Sequence, residues 1–237
     1  VQSELDINGN LTVSSGEFAL GANNVDVASS KTVDCDGTIS LSTSVFTANG
    51  PSDFANGTLS SSSTGTYDAN GTFTAASGNV TFTGAGFLKC NNTVSNLGTL
   101  TITAGTVVYD GASTQAIRTD DYYNLTIDQS GTKQASGTLD ISGDLTVSNG
   151  AVFDINGQTA AVGGNWNDAG GTFQATGGGV LLTGGNANIT TGGSNYFSAL
   201  TIWSTGTKTA QSSLDINWNF KFNSGTFDIN GQNPDVA

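Results

Sequence analysis

Apolar residues recur along this chain in short bursts, and small polar residues follow each burst. Leu11 and Val13 flank a single threonine, and Val80 and Phe82 flank another. An apolar residue at every second position is the pattern of a β-strand with one buried face. Each burst spans about four or five residues, and no stretch shows the period of a helix, so the pattern predicts an all-β fold of many short strands.

Identical short sequences recur at fixed offsets. Leu-Thr-Ile begins at Leu100, Leu125 and Leu200, and Gly-Thr-Lys at Gly131 returns at Gly206. Because these offsets are multiples of about 25 residues, they predict turns of that length, each built from three strands and stacked on the next. The predicted fold class is therefore an all-β β-solenoid, or parallel β-helix, of about nine turns.

The sequence predicts a single β-solenoid domain over residues 1–237. The first Leu-Asp-Ile is out of step with the later copies, so we expect an irregular, loop-bearing part over about 1–95 and regular repeats over about 96–237. Pro51–Thr66, rich in Ser and Thr, is the first predicted loop, and Arg118–Asp121 is the second.

Three stretches carry the repeat pattern most clearly: Gly105–Ile127 with GTVVYDG, Leu139–Gly185 with LDISGDLTVSNG, and Tyr196–Ile202 with YFSALTI. In this style they resemble the repeats of large secreted bacterial surface proteins, namely the β-solenoid stalks of filamentous-haemagglutinin-type adhesins and autotransporter passengers. The resemblance implies an extracellular or cell-surface location and a role as adhesin, stalk or fibre component. It brings no catalytic motif with it.

Acidic residues outnumber basic residues by 19 to 6, which gives a formal net charge of −13. Binding to nucleic acid or to anionic membrane surfaces depends largely on Lys and Arg, so we expect neither partner. No stretch approaches the ~20 apolar residues of a membrane-spanning helix, and we expect no membrane insertion. The charge is compatible with cations, with neutral glycans and with solubility alone.

The two cysteines, Cys35 and Cys90, are too far apart in sequence for a CxxC metal or redox motif. They either form one disulfide, as suits an extracellular protein, or serve as small buried apolar residues.

We do not predict an enzyme. The chain has no His, Arg118 is its single arginine, and the close acidic pairs Asp34/Asp36 and Asp120/Asp121 lie in turn-like sequence. Glycoside chemistry would require a general base or a carboxylate pair around a sugar-sized groove.

Asp6, Asn8 and Asn10 alternate as the oxygen ligands of a calcium loop do. The acidic ligand that closes such a loop is missing, so we expect no cofactor beyond an adventitious calcium ion. The related hexapeptide Phe-Asp-Ile-Asn-Gly-Gln, at Phe153 and Phe227, has a second interpretation. Its Phe and Ile point inward, its Asp points outward, and Asn-Gly makes a tight turn. Asn amides at stacked corners can also form ladders.

Two tryptophans are predicted to lie on the surface. Trp203 follows Leu-Thr-Ile and should face outward, and Trp218 stands where the related first turn has a glycine. Both are predicted to mark a glycan platform or a protein interface, with packing beneath a neighbouring loop as the alternative. Trp166 is predicted to be packed inside.

These observations together predict a non-enzymatic, extracellular structural or adhesive β-solenoid. Terminal turns of such a stack expose strand edges, so we expect head-to-tail self-association into a filament or continuation of a longer chain. Glycans or the surface of a host or neighbouring cell are the other expected partners. The alternatives are a carbohydrate-binding or polysaccharide-processing β-helix and, as a minor one, an ice-binding solenoid with Thr101, Thr126 and Thr201 facing outward.

Overall fold

The computed structural model describes residues 4–236, and this part of the chain is built from 31 strands with no helix. It accordingly holds no helix that could cross a membrane. The predicted fold class is confirmed, because parallel strands stack as a β-solenoid of about 12 turns. The chain divides into two compact units, unit 1 ending at Asp110 and unit 2 beginning at Gly111. The single-domain organisation stays a prediction.

Unit 1 contains strands β1 to β16. They are β1 (Glu4–Ile7), β2 (Leu11–Val13), β3 (Glu17–Ala19), β4 (Asn24–Val27), β5 (Val33–Cys35), β6 (Thr38–Leu41), β7 (Val45–Ala48), β8 (Ser52–Asp53), β9 (Thr58–Ser61), β10 (Thr66–Ala69), β11 (Phe73–Thr74), β12 (Asn79–Phe82), β13 (Phe87–Cys90), β14 (Val94–Asn96), β15 (Thr99–Ile102) and β16 (Thr106–Tyr109).

Each strand from β1 to β13 pairs in parallel with the strand three places later. The first sheet is β1-β4-β7-β10-β13-β16, the second is β2-β5-β8-β11-β14, and the third is β3-β6-β9-β12-β15. Inward residues of successive turns stack directly on one another, and Phe46, Tyr67 and Leu88 are fully buried in one such column. Burying side chains of this size contributes ~1.5–3 kcal/mol each.

Unit 2 contains strands β17 to β31. They are β17 (Gln115–Ile117), β18 (Asp121–Tyr122), β19 (Asn124–Ile127), β20 (Thr132–Ala135), β21 (Leu139–Ile141), β22 (Leu145–Val147), β23 (Val152–Asp154), β24 (Thr159–Val162), β25 (Trp166–Asn167), β26 (Thr172–Gln174), β27 (Gly179–Leu182), β28 (Ala187–Thr190), β29 (Phe197–Ala210), β30 (Asp215–Asp228) and β31 (Asp235–Val236).

Unit 2 also has three parallel sheets, namely β17-β20-β23-β26, β18-β21-β24-β27 and β19-β22-β25-β28. The two 14-residue strands β29 and β30 run around corners of the stack. Strand β29 pairs with both β27 and β28, β30 pairs along β29, and β31 pairs with β30.

The predicted length of a turn is wrong, because the strands pair at shorter intervals. Val25 pairs with Phe46 and Leu125 with Leu145, so one turn of the stack takes roughly 20 residues. The repeated tripeptides lie on different sides of the solenoid: Leu125 belongs to β19, whereas Leu200 pairs with β27 of another sheet. All sides share one short alternating pattern, so a tripeptide can recur without marking a whole turn.

The predicted loop at Pro51–Thr66 is wrong as well. This stretch contains β8 and β9 and the first residue of β10, all in register with their neighbours. Thr suits strand positions, and the serines of this stretch occupy both outward positions, as Ser60 does, and inward ones, as Ser52 and Ser61 do. Arg118–Asp121 lies mostly in the connection between β17 and β18.

Candidate functional site

The first Phe-Asp-Ile-Asn-Gly-Gln stretch forms a tight turn. At Asn156 and Gly157 the φ angles are 51° and 73°, which is the left-handed region that such a turn requires. The Asp154 Oδ1 atom accepts a 2.9 Å hydrogen bond from the Asn156 N–H, and Phe153 and Ile155 are fully buried. In the second copy the corresponding φ angles are 50° and 72°. The interpretation of the hexapeptide as a turn is confirmed, and the Asp154 carboxylate accepts a hydrogen bond within that turn.

Asp6, Asn8 and Asn10, the predicted calcium ligands, lie at the start of unit 1. Asp6 comes close to Glu4 and Asp26, with one oxygen of each carboxylate within 4.8 Å of the others. Asn8 is exposed, and the Asn10 Oδ1 atom accepts a 3.1 Å hydrogen bond from a backbone N–H of the next turn. The carboxylate neighbours of Asp6 therefore come from its own strand and the next turn, and calcium binding stays a prediction.

Asparagines at one corner of unit 1 form the predicted ladder. The Asn70 amide donates a 3.0 Å hydrogen bond to Asn49 Oδ1, and the Asn49 amide donates to the Val27 carbonyl oxygen at 3.0 Å. Each step links one turn to the previous one, so these amides hold the stack together.

Cys35 and Cys90 are both buried thiols in the structure rather than a disulfide. They lie on β5 and β13, which belong to different sheets of unit 1. Burial raises the pKa of Cys35 to about 11 and raises that of Cys90 further. A thiol reacts as its thiolate, so both side chains have the character of apolar core residues.

Two lysines lie inside unit 2, and the sequence pattern did not predict their burial. Lys133 and Lys208 are fully buried at inward positions of β20 and β29. The Lys133 Nζ atom donates to the carbonyl oxygens of Gly111, Gln129 and Ser130 at 2.6, 3.0 and 3.0 Å. The ammonium group thus binds corner carbonyl groups of two successive turns.

Lys208 also binds a corner carbonyl group, but through one bond and to a turn two places earlier in the stack. Its Nζ atom donates to the Gly163 carbonyl oxygen at 2.9 Å. Burial lowers the pKa of Lys208, and the Asp144 carboxylate partly offsets that shift. The alternation of inward and outward residues could have predicted the burial of both lysines, because in Gly-Thr-Lys the lysine follows an outward threonine and so takes an inward position.

A buried polar cluster surrounds Trp166, which is packed inside as predicted. Asp168 is fully buried and accepts hydrogen bonds from the Trp166 indole N–H at 3.1 Å and the Gly192 N–H at 2.9 Å. The Asn195 amide donates to the Asp168 carbonyl oxygen at 3.1 Å. Burial raises the pKa of Asp168, and these hydrogen bonds moderate the shift. The cluster fixes the corner that precedes β29.

Trp203 and Trp218 are the most exposed large apolar side chains of the described residues, at 62% and 72%. They lie on the paired strands β29 and β30. The pairing register shifts on both sides of Trp203, and it shifts again where Trp218 lies, between the pairs Phe197–Ile216 and Ala199–Asn219. Such bulges redirect side chains away from the regular alternation.

The two indoles are separated along the strands. Trp218 immediately precedes Asn219, the partner of Ala199, and Trp203 lies four residues beyond Ala199. At ~3.3 Å per residue this spacing is roughly 16 Å along the strands. Between them Thr201 pairs with Lys221 at outward positions. We refer to Trp203 and Trp218 together as the tryptophan pair.

A second surface lies on the third sheet of unit 1. We define the hydroxyl face as the eight outward residues of β6, β9, β12 and β15, which are Thr38, Ser40, Thr58, Ser60, Asn79, Thr81, Thr99 and Thr101. They form two columns, and each residue pairs with its counterpart on the next strand without a register shift. Seven of the eight carry a hydroxyl group.

Stacked glycines border the hydroxyl face at one corner. A Cβ atom at Gly57 would lie 2.1 Å from the Cys35 carbonyl oxygen, and one at Gly78 would lie 1.9 Å from that of Phe54. No side chain fits at these separations. The Gly57 carbonyl oxygen in turn accepts a 2.9 Å hydrogen bond from the Asn79 N–H. This corner keeps successive strands of the face in even register.

Three hollows among the described residues are shallow, and two of them contain a pair of aspartates. One of about 320 Å³ in unit 2 is lined by Asp215 and Asp235, and another of about 320 Å³ in unit 1 by Asp34 and Asp53. Among the described lining residues of both, no basic side chain accompanies the carboxylates. The third, of about 350 Å³, lies over Leu5 and other residues of the first turn.

Comparison with protein-family models, with curated proteins and with solved structures finds no match to this chain.

Proposed function

We propose that this chain is a non-enzymatic, extracellular β-solenoid segment with a structural and adhesive role. The tryptophan pair carries the adhesive part of this proposal, because two exposed indoles on one strand pair are costly without a partner. Each indole offers a large apolar surface with a polar edge. That combination suits a sugar ring, which has an apolar face and a rim of hydroxyl groups.

The partner that fits this surface is a neutral glycan. The chain has a formal net charge of −13, which repels acidic polysaccharides over a range set by salt. Thr201 and Lys221 between the indoles supply polar groups that can hydrogen-bond sugar hydroxyls.

The test is binding of a panel of neutral glucose, galactose and N-acetylglucosamine oligosaccharides, measured by calorimetry and by tryptophan fluorescence. Trp203→Ala and Trp218→Ala are each expected to weaken binding by about 2 kcal/mol, or roughly 30-fold, as for other aromatic anchors. Phe87→Ala, which removes a 37% exposed ring from unit 1, is the matched control. Absence of binding to every member, or equal binding by all variants, would refute the adhesive role of the pair.

A second candidate function is assembly through uncovered turns. Phe222 on β30 and Leu5 on β1 are 48% and 47% exposed, although neighbouring turns bury residues at such positions. A further solenoid turn, from a second copy or from additional chain, would cover them and pair with the exposed strand edges.

Assembly is tested by sedimentation and negative-stain microscopy over a wide concentration range. We expect concentration-dependent linear particles, which Phe222→Lys abolishes and the surface change Lys221→Met does not. Monomers at every concentration would contradict this candidate.

A further inference from the structure

The hydroxyl face of unit 1 differs from the other outer faces of that unit in charge. None of its eight residues is charged, whereas outward positions of the first sheet include Asp26, Asp68 and Lys89. The second sheet presents Asp34 and Asp53. The third sheet has one charged outward residue at its edge, Glu17 of β3, which pairs with Thr38. Beyond it, the outward positions of the four strands β6, β9, β12 and β15 are neutral.

The face also differs in how its polar atoms are used. Of its eight side chains, only Ser40 hydrogen-bonds another described residue, donating to Glu17 Oε1 at 2.5 Å. Elsewhere, polar side chains tie one turn to the next, as Gln134 does by donating to Asp154 at 2.9 Å. The hydroxyl groups of the face therefore have their hydrogen-bonding capacity available for water or a ligand.

The available groups form a two-dimensional lattice. Along each strand the two columns are two residues apart, or ~6.6 Å, and successive strands are ~4.8 Å apart. Threonine is β-branched and has restricted χ1 rotation, so its hydroxyl group is held in place before any ligand arrives. Water oxygens in the surface planes of ice repeat in two directions at distances of this same order.

We propose that the hydroxyl face binds the surface of ice crystals through an ordered layer of water. A neutral lattice of hydrogen-bonding groups is complementary to ice, which is itself neutral and presents donors and acceptors at regular spacing. Charged side chains would hold water in their own hydration shells and disturb this match. The even register of the face extends the match over four strands. This role is independent of the tryptophan pair, which lies in unit 2.

The experiment measures how much of the fluorescently labelled chain is incorporated into a slowly growing ice hemisphere, together with inhibition of ice recrystallisation. Thr81→Lys places a charge at the centre of the face, between Ser60 and Thr101, and is expected to abolish both activities. Thr47→Lys is the matched control, because Thr47 is an outward threonine of the first sheet, between Asp26 and Asp68. It is expected to retain both activities.

Thr101→Lys serves as a second variant on the outermost strand of the sheet, where the side chain is exposed and the substitution leaves the core untouched. Melting temperatures of all variants check the fold. Failure of the unaltered chain to enter ice, or equal incorporation of every variant, overturns the proposal. Binding to microcrystalline cellulose without incorporation into ice also overturns it, and it assigns the face to a polysaccharide if Thr81→Lys abolishes that binding while Trp203→Ala and Trp218→Ala retain it. Variants of the tryptophan pair should enter ice normally, so failure of either proposal is distinguishable from failure of the other.

Discussion

Units 1 and 2 fill similar solenoid interiors with different chemistry. Unit 1 packs aromatic rings: Tyr67 stacks on Phe46 with centroids 4.9 Å apart and contacts Phe54 at 5.4 Å. Unit 2 also has an aromatic centre, but it buries Lys133, Lys208 and Asp168 as well. All three buried charged groups of the described chain therefore belong to unit 2.

The difference shows what an inward position of a β-solenoid requires. An inward side chain must be apolar, or it must reach polar groups at a corner. Lysine succeeds because its four methylene groups lie along the apolar interior while its ammonium group reaches the carbonyl groups. Four predictions, ordered by expected effect, test whether the two interiors depend on these different interactions.

The largest effect is expected for Trp166→Ala. The indole packs against Phe173 and Phe197, with centroid distances of 4.8 and 5.3 Å, and donates to Asp168. Truncation creates a cavity and removes that donor, so we expect a loss of ~3–5 kcal/mol in the free energy of unfolding. Urea unfolding followed by circular dichroism measures it. Trp203→Ala, on the surface, should change stability by less than ~0.5 kcal/mol, and equal losses would contradict the packed role.

A smaller effect is expected for Lys133→Met, which keeps the length of the side chain and removes the ammonium group. The three carbonyl oxygens that Lys133 binds lose a charged hydrogen-bond donor in the interior. We expect the free energy of unfolding to fall by ~1–3 kcal/mol. Lys221→Met, on the exposed side of β30, is the control and should change the midpoint of urea unfolding little. An unchanged midpoint in Lys133→Met would show that the buried ammonium group does not stabilise the fold.

The third prediction concerns pH. Burial raises the folded-state pKa of Asp168 above its unfolded value of ~3.9, so its contribution to stability is greatest below the unfolded value. That contribution is lost as pH rises through the folded pKa, with a slope of at most ~1.4 kcal/mol per pH unit. Unfolding midpoints measured upward from pH ~4 should therefore fall less steeply in Asp168→Asn than in the unaltered chain. Identical slopes would contradict the assignment.

The smallest effect on the free energy of unfolding is expected in unit 1. There Ser61 occupies an inward position, and its side chain is too short to reach carbonyl groups at a corner as lysine does. Its hydroxyl group is buried and has no hydrogen-bond partner among the described residues. Ser61→Ala removes this group and should stabilise the chain by ~0.5–1 kcal/mol. Ser52→Ala makes the contrast, because the Ser52 hydroxyl pairs with that of Tyr67 at 2.9 Å and its removal should destabilise. Destabilisation by both would show that Ser61 has a partner in solution.

The sequence was sufficient to predict where the strands lie, but not which strands pair with one another in the stack. Alternating apolar residues identified strands such as β12 and β22, and Asn-Gly identified the turn after Phe153. The length of a turn was misjudged because all three sides share one pattern, and strand pairing is a property of the folded chain. With the longer turn that the repeats predict, Thr38, Thr58 and Thr99 do not align, so the hydroxyl face could not be recognised.

For the candidate site residues too, local sequence predicted which side chains are exposed or repeated, whereas their surroundings depend on strand pairing. Outward positions for Trp203 and Trp218 followed from local sequence, and both side chains are exposed. Their placement at register shifts required the pairing of β29 with β30. Lys133 was visible as part of a repeat, but its burial follows from corner carbonyl groups contributed by another turn.

The glycine corner beside the hydroxyl face determines where this chain can change in length. Gly57 and Gly78 contact the backbone of the previous turn too closely for any other residue, so an added residue there would separate the strands. Strands of the third sheet of unit 1 pair at nearly constant intervals, whereas the interval from Trp166 to its partner Ile189 in unit 2 is longer. The longer interval contains the corner between β27 and β28, so peptide tags or foreign epitopes should be inserted there, and growth by duplication of whole turns preserves the face.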